Sequence, residues 1–128
     1  MIQKYVDRFI NNKHILREKF REEYPKSYRD ILDALIPILN SGEDREFLTD
    51  VYEIDPQDFS GTIIFILTNY EIEPTKFWYI KQSYGSCHVC DTLMGITEYI
   101  ENNSPTEEQL DGFLTIALHL VQNLKVLE

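Results

Sequence analysis

The residues of this chain best suited to chemistry are its two cysteines, Cys87 and Cys90, which are separated by two positions. This spacing lets two thiolates chelate one tetrahedral metal ion, and it also lets two thiols form and break a small-loop disulfide. A zinc ion needs four ligands, and the chain has no second Cys-x-x-Cys motif. Further ligands would have to come from His14, His88 or His119, or from a homodimer that shares one site between two copies. The remaining interpretation is structural, with both thiols packed as small apolar groups beneath a tight turn.

The cysteine pair lies between a predicted strand and a predicted helix. Residues 77–80 are large apolar or aromatic side chains that favour a strand, and Gly85 and Ser86 interrupt it. We expect a helix to begin at Asp91. Amide groups at a helix start stabilise a thiolate, whereas the carboxylate of Asp91 disfavours a second anion on Cys90.

The segment around the cysteine pair resembles two known patterns. The succession of strand, Cys-x-x-Cys and helix resembles the local layout of thioredoxin-like proteins, which implies redox chemistry at the pair, although in that family further strands and a cis-proline turn follow. Here only helices are predicted to follow, and no suitable proline occurs after Pro105. The string Tyr84-Gly85-Ser86-Cys87…Cys90-Asp91-Thr92-Leu93 also resembles a motif of small uncharacterised phage and bacterial proteins. That resemblance implies a phage or intracellular context and brings no activity with it.

A second candidate site is the acidic segment, residues 43–58, which holds seven acids and one base. Proteins that inhibit nucleic-acid-binding enzymes present carboxylates that a basic groove binds in place of its substrate, through the electrostatic attraction that also drives DNA binding. The predicted partner-binding residues are the acids of this segment: Glu43, Asp44, Glu46, Asp50, Glu53, Asp55 and Asp58. The alternative interpretation is a solvated acidic face that only keeps the protein soluble.

Charge and composition narrow the function classes. The net charge is −10, and it is unevenly spread, since residues 1–40 hold eight Lys/Arg and six Asp/Glu whereas residues 41–128 hold four and sixteen. The lack of a basic footprint argues against direct nucleic-acid binding. Residues 1–20 are not a signal peptide, and the longest apolar run is too short to span a membrane, so the two cysteines favour a reducing, cytoplasmic location.

These observations lead to two competing hypotheses. No phosphate-binding loop, nucleophile elbow or His-x-x-x-His pair occurs, which favours a non-enzymatic protein. The first hypothesis is a small acidic interaction protein, of the kind with which phages inhibit nucleic-acid-binding machines, whose partner is a basic protein surface. The alternative is a zinc-binding or thiol-redox module built on Cys87 and Cys90.

The expected fold is a single α+β domain over residues 1–128. Its small antiparallel sheet of two or three strands is covered by N- and C-terminal helices. Apolar residues at helical spacing predict a helix over residues 2–20, with a kink or break at Asn11-Asn12, and a second helix after Ser27. The predicted strands are an edge strand over Val51–Ile54, a strand over Thr62–Tyr70 covered on both faces, and its antiparallel partner over Phe77–Tyr84.

Two helices are predicted after the cysteines. The first spans about three turns and buries Leu93, Ile96 and Ile100. The second begins at Ser104-Pro105-Thr106-Glu107, with Ser104 as N-cap and Glu107 completing a capping box. Its expected buried stripe is Leu110, Phe113, Leu114, Ala117, Leu118, Val121 and Leu124. Asp111 and His119 lie on the opposite face, so we expect His119 to be exposed.

Overall fold

The computed structural model describes residues 2–40, 50–54, 62–69, 76–83 and 92–127, which form four helices and four strands. The helices are α1 (Ile2–Glu22), α2 (Tyr28–Leu39), α3 (Thr92–Thr97) and α4 (Glu107–Gln122). The strands are β1 (Asp50–Ile54), β2 (Thr62–Asn69), β3 (Lys76–Ser83) and β4 (Leu124–Leu127). No helix in these ranges combines the length and the apolar character that a bilayer crossing needs.

The four strands form one sheet in the order β1-β2-β3-β4, and each neighbouring pair is antiparallel. This confirms the α+β class, although the sheet has four strands where two or three were expected. The additional strand is β4, whose first residue, Leu124, was wrongly predicted to lie in the last helix. That helix ends at Gln122, and the N–H of its C-cap residue Asn123 donates to the His119 carbonyl. Leu124 then pairs with Ile80, because the edge of β3 offers a ladder of hydrogen-bonding groups.

The first two helices form part of the layer that covers the sheet. The predicted break in α1 at Asn11-Asn12 is absent, since α1 is one continuous helix, and the Asn12 side chain donates to the Arg8 carbonyl at 2.8 Å. The start of α2 is as predicted, because the Ser27 side chain accepts from the Asp30 N–H at 3.1 Å. Arg8 Nη1 also donates to the Leu39 carbonyl at 2.7 Å and so ties α1 to the end of α2.

The two faces of the sheet are buried to different extents. On one face, Phe65, Leu67, Trp78 and Ile80 join the helices in a single apolar core. On the other face of β2, the alternate residues Ile64 and Ile66 are only half-buried. The expectation that β2 is covered on both faces therefore holds only in part, because Thr68 on this second face is 2% exposed whereas Ile64 and Ile66 are half-buried.

The region between α3 and α4 differs from the prediction. Helix α3 ends at Thr97, before Ile100, and a turn follows in which Asn102 and Asn103 have φ of 53° and 58°. Asparagine tolerates this left-handed conformation better than most residues. The N-cap of α4 is Thr106 and not Ser104, and the capping box is completed by Gln109, whose side chain accepts from the Thr106 N–H at 2.8 Å.

The buried stripe of α4 is broader than predicted. Phe113, Ala117 and Val121 are buried as expected, whereas Leu114 and Leu118 are only partly buried. The prediction missed two further buried residues, Ile116 and Leu120. The reason is that α4 contacts α1, α2 and α3 and contributes to the same core as the sheet, so more than one side of the helix is covered.

Candidate interaction face

The predicted site residues fall largely outside the part of the chain that the structure describes. Both Cys87 and Cys90 lie outside it, as does His88. The acids outside it are Glu43, Asp44, Glu46, Asp55 and Asp58. The other two predicted acids, Asp50 and Glu53, belong to β1, so the central part of the acidic segment forms a strand of the sheet.

Among the described strands β1 lies at the end of the sheet, in agreement with the prediction of an edge strand over Val51–Ile54. It pairs with β2 from Asp50↔Thr68 to Ile54↔Ile64. Within the described ranges β1 has this one neighbouring strand. Because successive side chains of a strand point to opposite faces, Tyr52 and Ile54 share one face of the sheet and Val51 and Glu53 share the other.

Two large apolar side chains of β1 are exposed to solvent. Tyr52 is 50% exposed and Ile54 is 46% exposed. On the helix-covered face, Val51 packs against the core, yet Glu53 is exposed even though it pairs with the fully buried Phe65. The helical layer therefore stops short of the sheet edge at Glu53, and this carboxylate is open to solvent.

The side of the sheet opposite the helices, which we call the outer face, is mainly apolar. The register aligns Tyr52, Ile66 and Tyr79 in one cross-strand row and Ile54 and Ile64 in the next. Phe77, 37% exposed, extends the same face along β3. A connected apolar surface of this kind on a protein marks a binding surface more often than isolated apolar residues do.

Two exposed lysines accompany the apolar residues of the outer face. Lys81 pairs with Ile64, and Lys125 pairs with Tyr79. Both lie on the β3–β4 side of the face, whereas Glu53 lies at the β1 edge and on the opposite side of the sheet. In the structure, exposed and buried residues alternate along Phe77–Lys81. The sequence does not show this alternation clearly, because four of these five residues are apolar or aromatic.

A cluster of charged residues joins α1 to α4. Arg17 contacts Glu107 at 2.6 Å and Asp111 at 2.5 Å, and Arg21 contacts Glu107 at 2.5 Å. Hydrogen bonds from Arg21 and then Arg17 lower the pKa of Glu107 to about 2. The same contacts raise the pKa values of Arg17, where the bond to Asp111 is the larger cause, and Arg21. Since each charge faces an opposite charge across two helices, we interpret the cluster as a structural clamp.

The described residues offer no arrangement that would hold a metal ion, because no three His, Cys, Asp or Glu side chains lie close enough together within them. His119 is exposed, as predicted. His14 lines a cleft of about 400 Å³ between α1 and α4, together with Lys13, Arg17 and Leu114. The predicted zinc site depends on Cys87 and Cys90 and stays a prediction.

None of the family models, curated proteins or solved structures compared with this chain matches it. The features of the described residues that bear on function are therefore the outer face and strand β1.

Proposed function

We propose that this chain is a small acidic, non-enzymatic interaction domain that binds a basic protein. The observation that carries this proposal is the composition of β1, where Tyr52 and Ile54 are exposed on the outer face and Glu53 is exposed on the opposite face of the same strand. A face that served only solubility would gain nothing from a half-exposed tyrosine and isoleucine joined to further apolar residues. Apolar contact area beside solvent-exposed charge is instead the usual make-up of a protein interface.

The charge of the chain supports a basic partner. The acidic segment holds seven acids and one base, and the whole chain has a net charge of −10. Such a charge steers a basic protein toward the segment and repels nucleic acid. The finer proposal is that the partner is a nucleic-acid-binding protein, inhibited in the manner of a phage protein that takes the place of the nucleic acid. It rests on the density of carboxylates in the acidic segment.

The experiment is affinity capture from the native host with four forms of the protein: wild type, Tyr52→Ala, Glu53→Lys and the control Glu23→Lys. Glu23 is also an exposed acid, but it follows the end of α1 in the helical layer. We expect wild type and Glu23→Lys to retain the same basic protein in equal amounts, and the two β1 variants to lose most of it. Equal capture by all four forms would contradict the proposal.

The alternative function, a zinc-binding or thiol-redox module, rests on the Cys-x-x-Cys spacing. If a metal or a disulfide joins the cysteines, Cys87→Ala and Cys90→Ala should have the same effect on stability, and for a structural zinc that effect should be severe. Elemental analysis and native thiol titration check this. Absence of bound metal together with two independently titrating thiols would exclude chelation.

A further inference from the structure

We propose that the cleft between α1 and α4 binds a small organic anion, namely a monocarboxylate with an apolar body. This site is independent of strand β1, because all the residues that line the cleft belong to the two helices. The volume of the cleft is about 400 Å³, which lies in the usual range of small-molecule sites.

The floor of the cleft is apolar. It is formed by Phe9 of α1, which is buried, and by Leu114 and Leu118 of α4, which are partly buried. Ile10, 50% exposed, precedes His14 by one helical turn and adds apolar surface beside the cleft. A ligand body placed here removes this apolar surface from water, which favours binding.

The charges that line the cleft favour a ligand with a single negative charge. Arg17 already contacts Asp111 at 2.5 Å and Glu107 at 2.6 Å, so its charge is compensated. Lys13 and His14 are exposed, and among the described residues neither of them has an acidic partner. The Lys13 ammonium is therefore left to bind an anion, with a ring N–H of His14 as a further donor. A carboxylate matches this one cation, whereas a phosphate ester brings roughly two negative charges.

The order of these groups along the cleft suits a ligand with a charged end and an apolar end. The ion pairs of the clamp show that α1 and α4 are antiparallel, because residue numbers rise along α1 as those of their partners fall along α4. The same offset places Lys13 level with Thr115, and Phe9 level with the turn that holds Leu118. A carboxylate beside Lys13 therefore has its apolar body on the floor of the cleft, on the side away from the clamp.

The test is a titration of the whole chain with phenylacetate, followed by heteronuclear NMR of the backbone amides. Two compounds serve as controls: phenylacetamide has the same body without the charge, and acetate has the charge without the body. We expect the shifted amides to lie in the facing parts of α1 and α4. The affinity for phenylacetate should be at least about fivefold higher than for phenylacetamide and about tenfold higher than for acetate.

Substitutions on both helices test the assigned position of the carboxylate. Lys13→Gln should lower the affinity about fivefold, and Lys19→Gln, at an exposed lysine on another side of α1, should leave it unchanged. Thr115→Glu should abolish binding, because its carboxylate lies level with Lys13 and pairs with that cation. Thr115→Gln has the same size without the charge and should retain binding. A variant whose other amide signals match those of wild type is folded, so its loss of binding reports on the cleft.

Three results would each overturn the proposal. The first is a set of shifts confined to the strands, or no saturable shift at all. The second is equal affinity for phenylacetate and phenylacetamide. The third is an equal loss of affinity in Lys13→Gln and Lys19→Gln, which would show a general effect of charge and no local site.

Discussion

Phe113 shows at the scale of one residue how the core is held together. It has no exposed surface, its ring meets Phe20 edge-on with the centroids 5.9 Å apart, and it stacks with Tyr24 at 6.5 Å. Phe113→Ala should lower the free energy of unfolding by about 3–5 kcal/mol, the usual cost of removing a buried aromatic side chain. His119→Ala, on the exposed side of the same helix, should change it by no more than about 0.5 kcal/mol. Urea unfolding of both variants measures this, and similar losses would contradict the assigned orientation of α4.

A pair of glycines provides a second test at this scale. A Cβ atom on Gly112 of α4 would lie 2.7 Å from Ile96 Cδ1, whereas one on Gly95 of α3 would meet nothing within 4 Å. Gly95→Ala should therefore raise stability by about 0.5–1 kcal/mol through helix propensity. Gly112→Ala should raise stability by less, because Ile96 must move. In an Ile96→Val background, which lacks Cδ1, the same substitution should raise stability by the full amount. A double-mutant cycle measures this coupling; zero coupling would show that the two residues do not crowd each other.

The clamp between α1 and α4 makes a pH-dependent contribution at the scale of elements. The pKa of Glu107 falls from 4.5 to about 2 on folding, so the stabilisation is fully present above pH 4.5 and is lost as the pH drops toward 2. Glu107→Gln should therefore lower the urea midpoint at pH 7, and the difference from wild type should shrink as the pH falls through this window. Because Glu107 is solvent-exposed, added salt should also reduce the difference. The neighbouring variant Glu108→Gln serves as control. A difference in urea midpoint between Glu107→Gln and wild type that did not change with pH would contradict the role of the carboxylate.

The start of α4 shows why sequence reasoning places some boundaries correctly and others not. Ser27 has one obvious role as a cap, and the structure confirms it. Near α4, both Ser104 with Glu107 and Thr106 with Gln109 fit the pattern of a capping box. Arg17 and Arg21 of α1 bind the Glu107 side chain, so Glu107 does not complete a box with Ser104. Gln109 completes the box with Thr106 instead. Contacts between distant elements are not visible in a local pattern.

The candidate site was predicted only in part for a related reason. The edge strand over Val51–Ile54 was predictable because its β-branched and aromatic residues favour a strand and Asp55-Pro56 follows them. The outer face was not, since β2 is apolar at almost every position and its sequence does not show which side the helices cover. In the same way, Leu124 has neighbours that suit a helix, and only the edge of β3 determines that it forms a strand.

At the scale of the whole molecule, removing part of the net charge of −10 distinguishes a recognition role of the acidic segment from a solubility role. Replacing several acids of the acidic segment with Asn or Gln should leave the fold intact and should slow association with a basic partner more than it speeds dissociation. Added salt should diminish the difference between wild type and the variant, because it screens charges that steer encounter. Stopped-flow association at low and high salt measures this. An unchanged rate and affinity at low salt would exclude the acidic segment as a recognition element and leave solubility as its role.

The order of the strands also bears on how the chain folds during its synthesis. Strand β4 pairs with β3 across about forty intervening residues, and α1 packs against α4, which is made almost as late. As the chain leaves the ribosome, β1, β2 and β3 emerge well before the elements that close the sheet and cover the core. Until then Trp78 and Ile80 lack their final neighbours, and the edge of β3 that later receives β4 is available to other chains. Contacts so distant in sequence also slow folding, so these surfaces stay open for longer than they would in a chain held by local contacts.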